Sequence, residues 1–341
     1  MGIGVVAIGR NEGERLAACL RSALRDAPTV VYVDSGSTDG SVEMARSMGV
    51  HVVQLDLAIP FTAARSRNAG FEKLLQVDPQ VELVQFVDGD CEIVAGWIPK
   101  AVAMIGLDPR AAVVCGRRRE RYPDRSIYNR LCDMEWNTPI GPAKSCGGDA
   151  LMRVPAVRQV GGYAPAVIAG EEPEMCVRLR AAGWTIHRID AEMTLHDASM
   201  TRFGQWWKRN VRAGHAFAEG RAMHGRPPER HRVRETRSNW IGGLALPLAI
   251  VISTFAIAAY DWRWCWLGLA PGLLYAAMFA KFRRSLVRRG WSPADASTYA
   301  SFVMLGKVPQ AIGQLTYHWN RLRGRKTRLI EYKGAAGIAA A

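Results

Sequence analysis

Asp88-Gly89-Asp90 ends the apolar run Leu83-Val84-Gln85-Phe86-Val87. Two carboxylates that close at a strand end repel each other unless a cation lies between them. Hard oxygen donors in such a setting suit Mg²⁺ or Mn²⁺, held by one or two carboxylates together with substrate phosphates. The chemistry this predicts is recognition of a metal-chelated diphosphate, with Asp90 and Asp88 as ligands. Asp34 ends a second apolar run, Val30-Val31-Tyr32-Val33, where it can accept a hydrogen bond from a base or ribose, or cap a turn. Arg65-Ser66-Arg67-Asn68 opens a helix, where backbone N–H groups and guanidinium side chains favour phosphate. The plainer reading of Arg65 and Arg67 is a solvated helix face. Gly147-Gly148-Asp149 precedes an apolar strand and lets backbone approach a ligand closely. Glu171 and Glu172 stand at a helix start, where acidic residues suit the dipole with or without a further role.

These residues need a frame that gathers strand ends. Residues 2–8, 30–33, 51–55 and 83–87 read as strands, and helices are expected from Arg15, over 42–48 and over 64–75. Strands alternating with helices at this spacing predict an α/β fold, a mostly parallel sheet with helices on both faces. Such sheets bind ligands at their carboxyl edge. A dinucleotide site is excluded, because no G-x-G-x-x-G follows the first strand.

The composition narrows the setting. Formal charge is +14, from 45 Lys+Arg against 31 Asp+Glu, with most of the excess after residue 200. That balance calls for an anionic partner: nucleic acid, a membrane face or a phosphorylated substrate. Seven cysteines stand singly with no C-x-x-C pair, which points to a reducing compartment and against a disulfide framework or zinc site. Residues 3–8 are too short for the apolar core of a leader and are read as a strand.

Ordered motifs then resemble a family. Ile8-Gly9-Arg10-Asn11-Glu12, Val33-Asp34-Ser35-Gly36-Ser37-Thr38-Asp39-Gly40, Ala64-Arg65-Ser66-Arg67-Asn68-Ala69-Gly70 and Asp88-Gly89-Asp90 are similar to those of family 2 glycosyltransferases with the GT-A fold. The resemblance covers roughly residues 1–215. It implies a nucleotide-sugar site in which Gly9, Arg10, Asn11, Glu12, Asp34, Arg65, Asn68, Asp88, Gly89 and Asp90 bind the donor. Asp90 would ligate the metal bridging the diphosphate, and a histidine near His196 would complete the metal site. Gly147, Gly148 and Asp149 resemble the family's Gly-Gly motif beside sugar and acceptor. Glu171-Glu172 matches its Glu-Asp motif, which carries the general base; Glu172, standing where Asp is usual, is the expected base, with Glu171 the alternative. Gln205, Trp206 and Arg209 lie on a stretch that resembles the Gln-x-x-Arg-Trp helix of processive synthases and would meet the acceptor. It departs from that pattern in its last two positions, so single-residue transfer is expected.

The remainder reads as a membrane region, residues 239–333, behind a catalytic domain of 1–220 and a basic linker of 221–238. Residues 240–260 carry no formal charge and are long enough to cross a bilayer; 264–280 form a second apolar run. Trp240, Tyr260, Trp262, Trp264 and Trp266 supply interfacial aromatics. Arginines 230, 232, 234 and 237 precede the first span, and Lys281, Arg283, Arg284, Arg288 and Arg289 follow the second. By the positive-inside rule both flanks, and the catalytic domain with them, are cytoplasmic, at the inner membrane. Residues 299–319, broken by Lys307 and Pro309, are expected to be re-entrant or interfacial, with a short tail over 334–341.

The expected function is transfer, with inversion, from a nucleotide diphosphate sugar, expected to be uridine-based, to a lipid-linked saccharide at an anionic membrane surface. The alternatives are a polyprenyl-phosphate acceptor and a non-catalytic membrane subunit of the same fold. Nucleic acid is set aside because the basic charge brackets apolar spans instead of interleaving with stacking aromatics.

Overall fold

The computed structural model describes residues 1–325; the tail 334–341 lies outside the described residues. The chain divides into two compact units, Met1–Gln205 and one beginning at Trp206.

The first unit is built on a nine-stranded mixed sheet. Its strands are β1 (Gly2–Gly9), β2 (Thr29–Asp34), β3 (His51–Gln54), β4 (Val81–Asp88), β5 (Cys91–Ile93), β6 (Ala111–Glu120), β7 (Gly141–Pro142), β8 (Ala150–Arg153) and β9 (Thr185–His196). Their order is β3-β2-β1-β4-β8-β6-β9-β5, with β7 beside β9. β1 to β4 are mutually parallel where they pair, as the alternation of elements predicts. β8 then runs antiparallel to both β4 and β6, so the sheet is less parallel than expected. β4 is buried over Leu83-Val84-Gln85-Phe86-Val87, because both of its faces are covered.

Helices α1 (Glu14–Asp26), α2 (Ser41–Ser47), α3 (Ala63–Val77), α4 (Trp97–Leu107), α5 (Ile127–Glu135), α6 (Val154–Gln159) and α7 (Glu171–Ala181) complete this unit. α1 buries Leu16, Ala17, Cys19, Leu20 and Ala23, the three-and-four spacing of one apolar face. α3 starts at Thr62, whose hydroxyl accepts the Arg65 N–H at 3.1 Å. At Gly70 a Cβ would stand 2.4 Å from Val6 Cγ1, so only glycine lets α3 lie this close to β1.

The second unit is helical: α8 (Phe203–His224), α9 (Val233–Trp240), α10 (Leu246–Tyr260), α11 (Gly272–Val287) and α12 (Pro293–Leu322), with a π-turn over Ile241–Ala245 joining α9 to α10. The second compact unit begins at Trp206, within α8, because α8 packs on α12. A Cβ at Gly214 would meet the Gln310 carbonyl, and one at Gly313 would meet that of Val211. Of the expected linker, only residues 225–232 are irregular. Among the described residues, two segments are long and apolar enough to cross a membrane, Val233–Tyr260 and Trp262–Val287. Residues 299–319, expected to be re-entrant or interfacial, lie inside the continuous α12, with Pro309 in its interior.

Candidate active site

Parallel pairing aligns the ends of the first strands. Gly9 is opposite Asp34, and Ile8 is opposite Asp88. The carboxyl edge therefore collects the β1–α1 loop, the β2–α2 loop and Asp88-Gly89-Asp90, at the point where the strand order reverses around β1.

Asp88, expected as a metal ligand, offers an oxygen within 4.8 Å of Cys91 and Asp149 ligand atoms but is also gripped by two arginines. Its Oδ1 accepts from Arg67 Nη2 at 2.7 Å and its Oδ2 from Arg118 Nη2 at 3.0 Å. Burial would push the Asp88 carboxyl up, but the two guanidinium groups outweigh it and hold the group well below the usual carboxylate range. The repulsion inferred from sequence is thus relieved by arginines. Arg67 is no solvated helix residue; it is 2% exposed and also meets Glu171 Oε1 at 2.6 Å. Arg118, on β6, pairs with Asp149 at 2.7 Å, and Asp149 accepts in addition from the Asp88 N–H at 3.0 Å and the Thr194 hydroxyl at 2.7 Å. Asp149 is accordingly a buried support for Asp88. Gly148 lies against this cluster: a Cβ there would come to 3.0 Å from both Arg67 Nη2 and Asp88 Oδ2.

Asp90 has different company. Its Oδ2 is 3.3 Å from His196 Nε2, and both side chains are buried. The imidazole packs edge-on against Trp136, with ring centroids 4.8 Å apart. Its Nδ1 is buried without a hydrogen-bond partner, and Glu120 Oε2 stands 3.6 Å away. A carboxylate behind a histidine whose other nitrogen faces an acidic oxygen is an arrangement that suits a divalent cation of the Mn²⁺ class. Asp90, His196 and Cys91 offer ligand atoms within 4.8 Å of one another.

Glu172 Oε1 accepts the Cys146 N–H at 2.5 Å, and the thiols of Cys146 and Cys176 lie 3.2 and 3.1 Å from it. Glu171 is committed to Arg67, whereas the contacts of Glu172 Oε1 are to neutral donors at the head of Gly147-Gly148.

Several expected donor residues turn out to shape loops. Asp34 is 1% exposed; its Oδ1 accepts from the Tyr32 hydroxyl and its Oδ2 from the Gly36 and Ser37 N–H groups, each at 2.9 Å. Asn11, at φ 54°, ties its loop to the next by accepting the Thr38 N–H at 2.7 Å. Glu12 pairs with Arg15 at 2.6 Å, and Arg65 donates to the carbonyls of Asp56 and Ile59, each at 2.8 Å. Asn68 clamps Tyr163 through that residue's N–H and carbonyl. Gly89 donates its N–H to the Ile8 carbonyl, Gly9 accepts from Ser35, and Arg10 is exposed beside them. Gln205 accepts the Thr201 and Arg202 N–H groups and so caps α8, while Trp206 is buried against Phe302 and Arg209 is half-buried in the second unit. Arg118 and Glu120 had no signal in the sequence, because they lie on a strand that the spacing of charges in Arg117-Arg118-Arg119-Glu120 disguises.

The family model of glycosyl transferase family 2 matches residues 5–148, the span that carries this strand edge. The domain is a family 2 glycosyltransferase. Glycosyltransferase AglE of Haloferax volcanii is 26% identical over 222 residues, covering 60% of this chain and 69% of that protein. The structure titled mannosyltransferase PcManGT from Pyrobaculum calidifontis in complex with GDP-Man and Mn²⁺ superposes with a TM-score of 0.63. At 17% identity, over 94% of this chain and 87% of that one, the likeness establishes the GT-A fold of the glycosyltransferase.

Proposed function

We propose that this glycosyltransferase is metal-dependent and inverting, and moves a sugar from a nucleoside diphosphate sugar to a membrane-linked acceptor, a polyprenyl-diphosphate saccharide. The observation that carries the reading is the Asp90–His196 pair at the carboxyl edge, backed by Glu120 across 3.6 Å. Asp90 and His196 would hold a Mg²⁺ or Mn²⁺ ion. Such an ion supplies charge stabilisation to the departing diphosphate.

The rest falls to the protein's own side chains. The loops organised by Asp34 and Asn11 present backbone groups where base and ribose would lie. Arg67 and Arg118 offset the charge of Asp88, Glu171 and Asp149 and so hold those carboxylates in place at the edge beside the diphosphate. Glu172, held at the Gly147-Gly148 bend, would take the acceptor hydroxyl's proton. Inversion in a single displacement needs a base on the face opposite the leaving group. The two apolar helical segments and their basic flanks support a cytoplasmic membrane setting for the acceptor.

A thermal-shift screen of uridine- and guanosine-based sugar nucleotides with Mn²⁺ tests the donor half. One nucleoside diphosphate should stabilise the protein only with metal present, and chelator should abolish the shift. Stabilisation that survives chelation overturns the metal assignment. Glu172→Gln should lower transfer by about 10²–10⁴-fold while the metal-dependent shift persists; unaltered transfer in that variant overturns the base.

A further inference from the structure

Outside the Asp90–His196 pair, a second group of side chains converges in the first unit. Cys146, at the head of the Gly147-Gly148 bend, and Cys176, one turn along α7 from Glu172, bring their sulfurs to 3.7 Å. Glu172 Oε1 lies 3.2 and 3.1 Å from the two sulfurs. All three residues are buried, and their hydrogen bonds run to one another, to the Cys146 N–H and to the Gly147 carbonyl.

The triangle has the dimensions of a coordination face. Zinc bonds of about 2.3 Å to sulfur and about 2.0–2.2 Å to oxygen, set tetrahedrally, separate sulfurs by about 3.8 Å and sulfur from oxygen by about 3.5 Å. The sulfur pair already stands at that separation, and the oxygen needs to retreat by a few tenths of an ångström. A fourth position is left to water. Hydrogen bonding alone leaves the cluster poorly explained: two thiols are weak donors, and burial pushes the Cys146 thiol well above its ordinary value, so at rest both sulfurs are neutral.

We propose that Cys146, Cys176 and Glu172 form a second metal site, for a thiophilic divalent ion of the zinc class. Binding is exchange of two protons for one ion: each S–H gives its proton to solvent, each thiolate bonds the metal, and nothing is oxidised. Affinity therefore rises with pH. The consequence for turnover rests on the reading of Glu172 as the base. An ion there would engage its carboxylate and hold the Gly147-Gly148 bend to α7, so the site would be inhibitory and separate from the harder site at Asp90.

Cobalt is the probe. The full-length protein, in detergent with a phosphine reductant, should take up Co²⁺ with a thiolate-to-metal charge-transfer band that Zn²⁺ displaces. Cys146→Ser and Cys176→Ser should each lose the band. Cys91→Ser, which leaves Cys146, Cys176 and Glu172 untouched, should keep it. In the unaltered protein Zn²⁺ should also shield two thiols from alkylation, a readout that no misfolded variant can confuse. The absence of a band, its loss in Cys91→Ser, or a Cys146–Cys176 disulfide in place of metal uptake overturns the site. The ratio of transfer rates with and without Zn²⁺ should fall in the unaltered protein and approach one in Cys176→Ser. Zinc uptake with no fall in that ratio leaves the metal site standing and overturns Glu172 as the base.

Discussion

Asp88 and Asp90 are separated by one glycine and solve the burial of a carboxylate in opposite ways. Asp88 is satisfied within the fold, by Arg67 on one oxygen and Arg118 on the other. Asp90 meets an imidazole whose far nitrogen lacks a hydrogen-bond partner and faces a second carboxylate. One aspartate thus closes a network of arginines, and the other faces an imidazole backed by a second acidic side chain. Sequence distance says nothing of this division; the strands that flank each residue decide it.

The comparison breaks most visibly at Asp90. Asp90→Asn should cost several kcal/mol of transition-state stabilisation, about 10³-fold in transfer rate, with the thermal midpoint little changed. Initial rates against Mn²⁺ concentration check this, and a rate within tenfold of the parent would erase the distinction. On the Asp88 side the loss should be of stability. Arg67→Ala strands the Glu171 carboxylate, leaves Asp88 to Arg118 alone and should cost about 3 kcal/mol, since breaking a buried pair leaves an uncompensated charge; chemical denaturation measures it. Glu120→Gln should weaken metal binding by about 10–100-fold, the usual effect of disturbing a histidine's outer partner, and calorimetric titration with Mn²⁺ would report it.

The smallest effect is one of pH. The Asp88 carboxyl is held below its unfolded value of about 3.9, so its contribution is complete above that pH and is lost as pH falls through the folded value. Melting temperatures should drop on acidification below about pH 4, less steeply in Asp88→Asn. Equal slopes would mean that the arginines do not govern this group.

The parallel half of the sheet was legible in the sequence because three of its four strands end in a recognisable polar signal: Asn11, Asp34, Asp88. The antiparallel half was not. β6 carries Arg117-Arg118-Arg119-Glu120 at its end, and a run of charges gives no hint that alternate side chains turn into a buried network. Arg67 was misleading for a related reason. An arginine on the first turns of a helix reads as exposed until Gly70, one turn on, is seen to draw that helix down onto Val6. Glu171 and Glu172 were found together, but their separation into an ion-paired and an unpaired carboxylate depends on Arg67 and Cys146, residues 104 and 26 positions away. Likewise Trp206 looked like an acceptor contact, and its burial against Phe302 follows from a helix nearly a hundred residues downstream.

β5 is three residues long, and its pairing places Cys91 opposite His196. The Asp197 N–H continues that ladder to the Asp90 carbonyl at 3.2 Å. The separation of the aspartate from the imidazole is therefore set by the phase of a very short ribbon. Were β5 to slip by a single residue, every side chain on it would change face, and the carboxylate would part from the histidine although no ligand had been substituted. Substitutions at Glu92 or Ile93 that loosen the ribbon deserve the same scrutiny as changes to the ligands themselves.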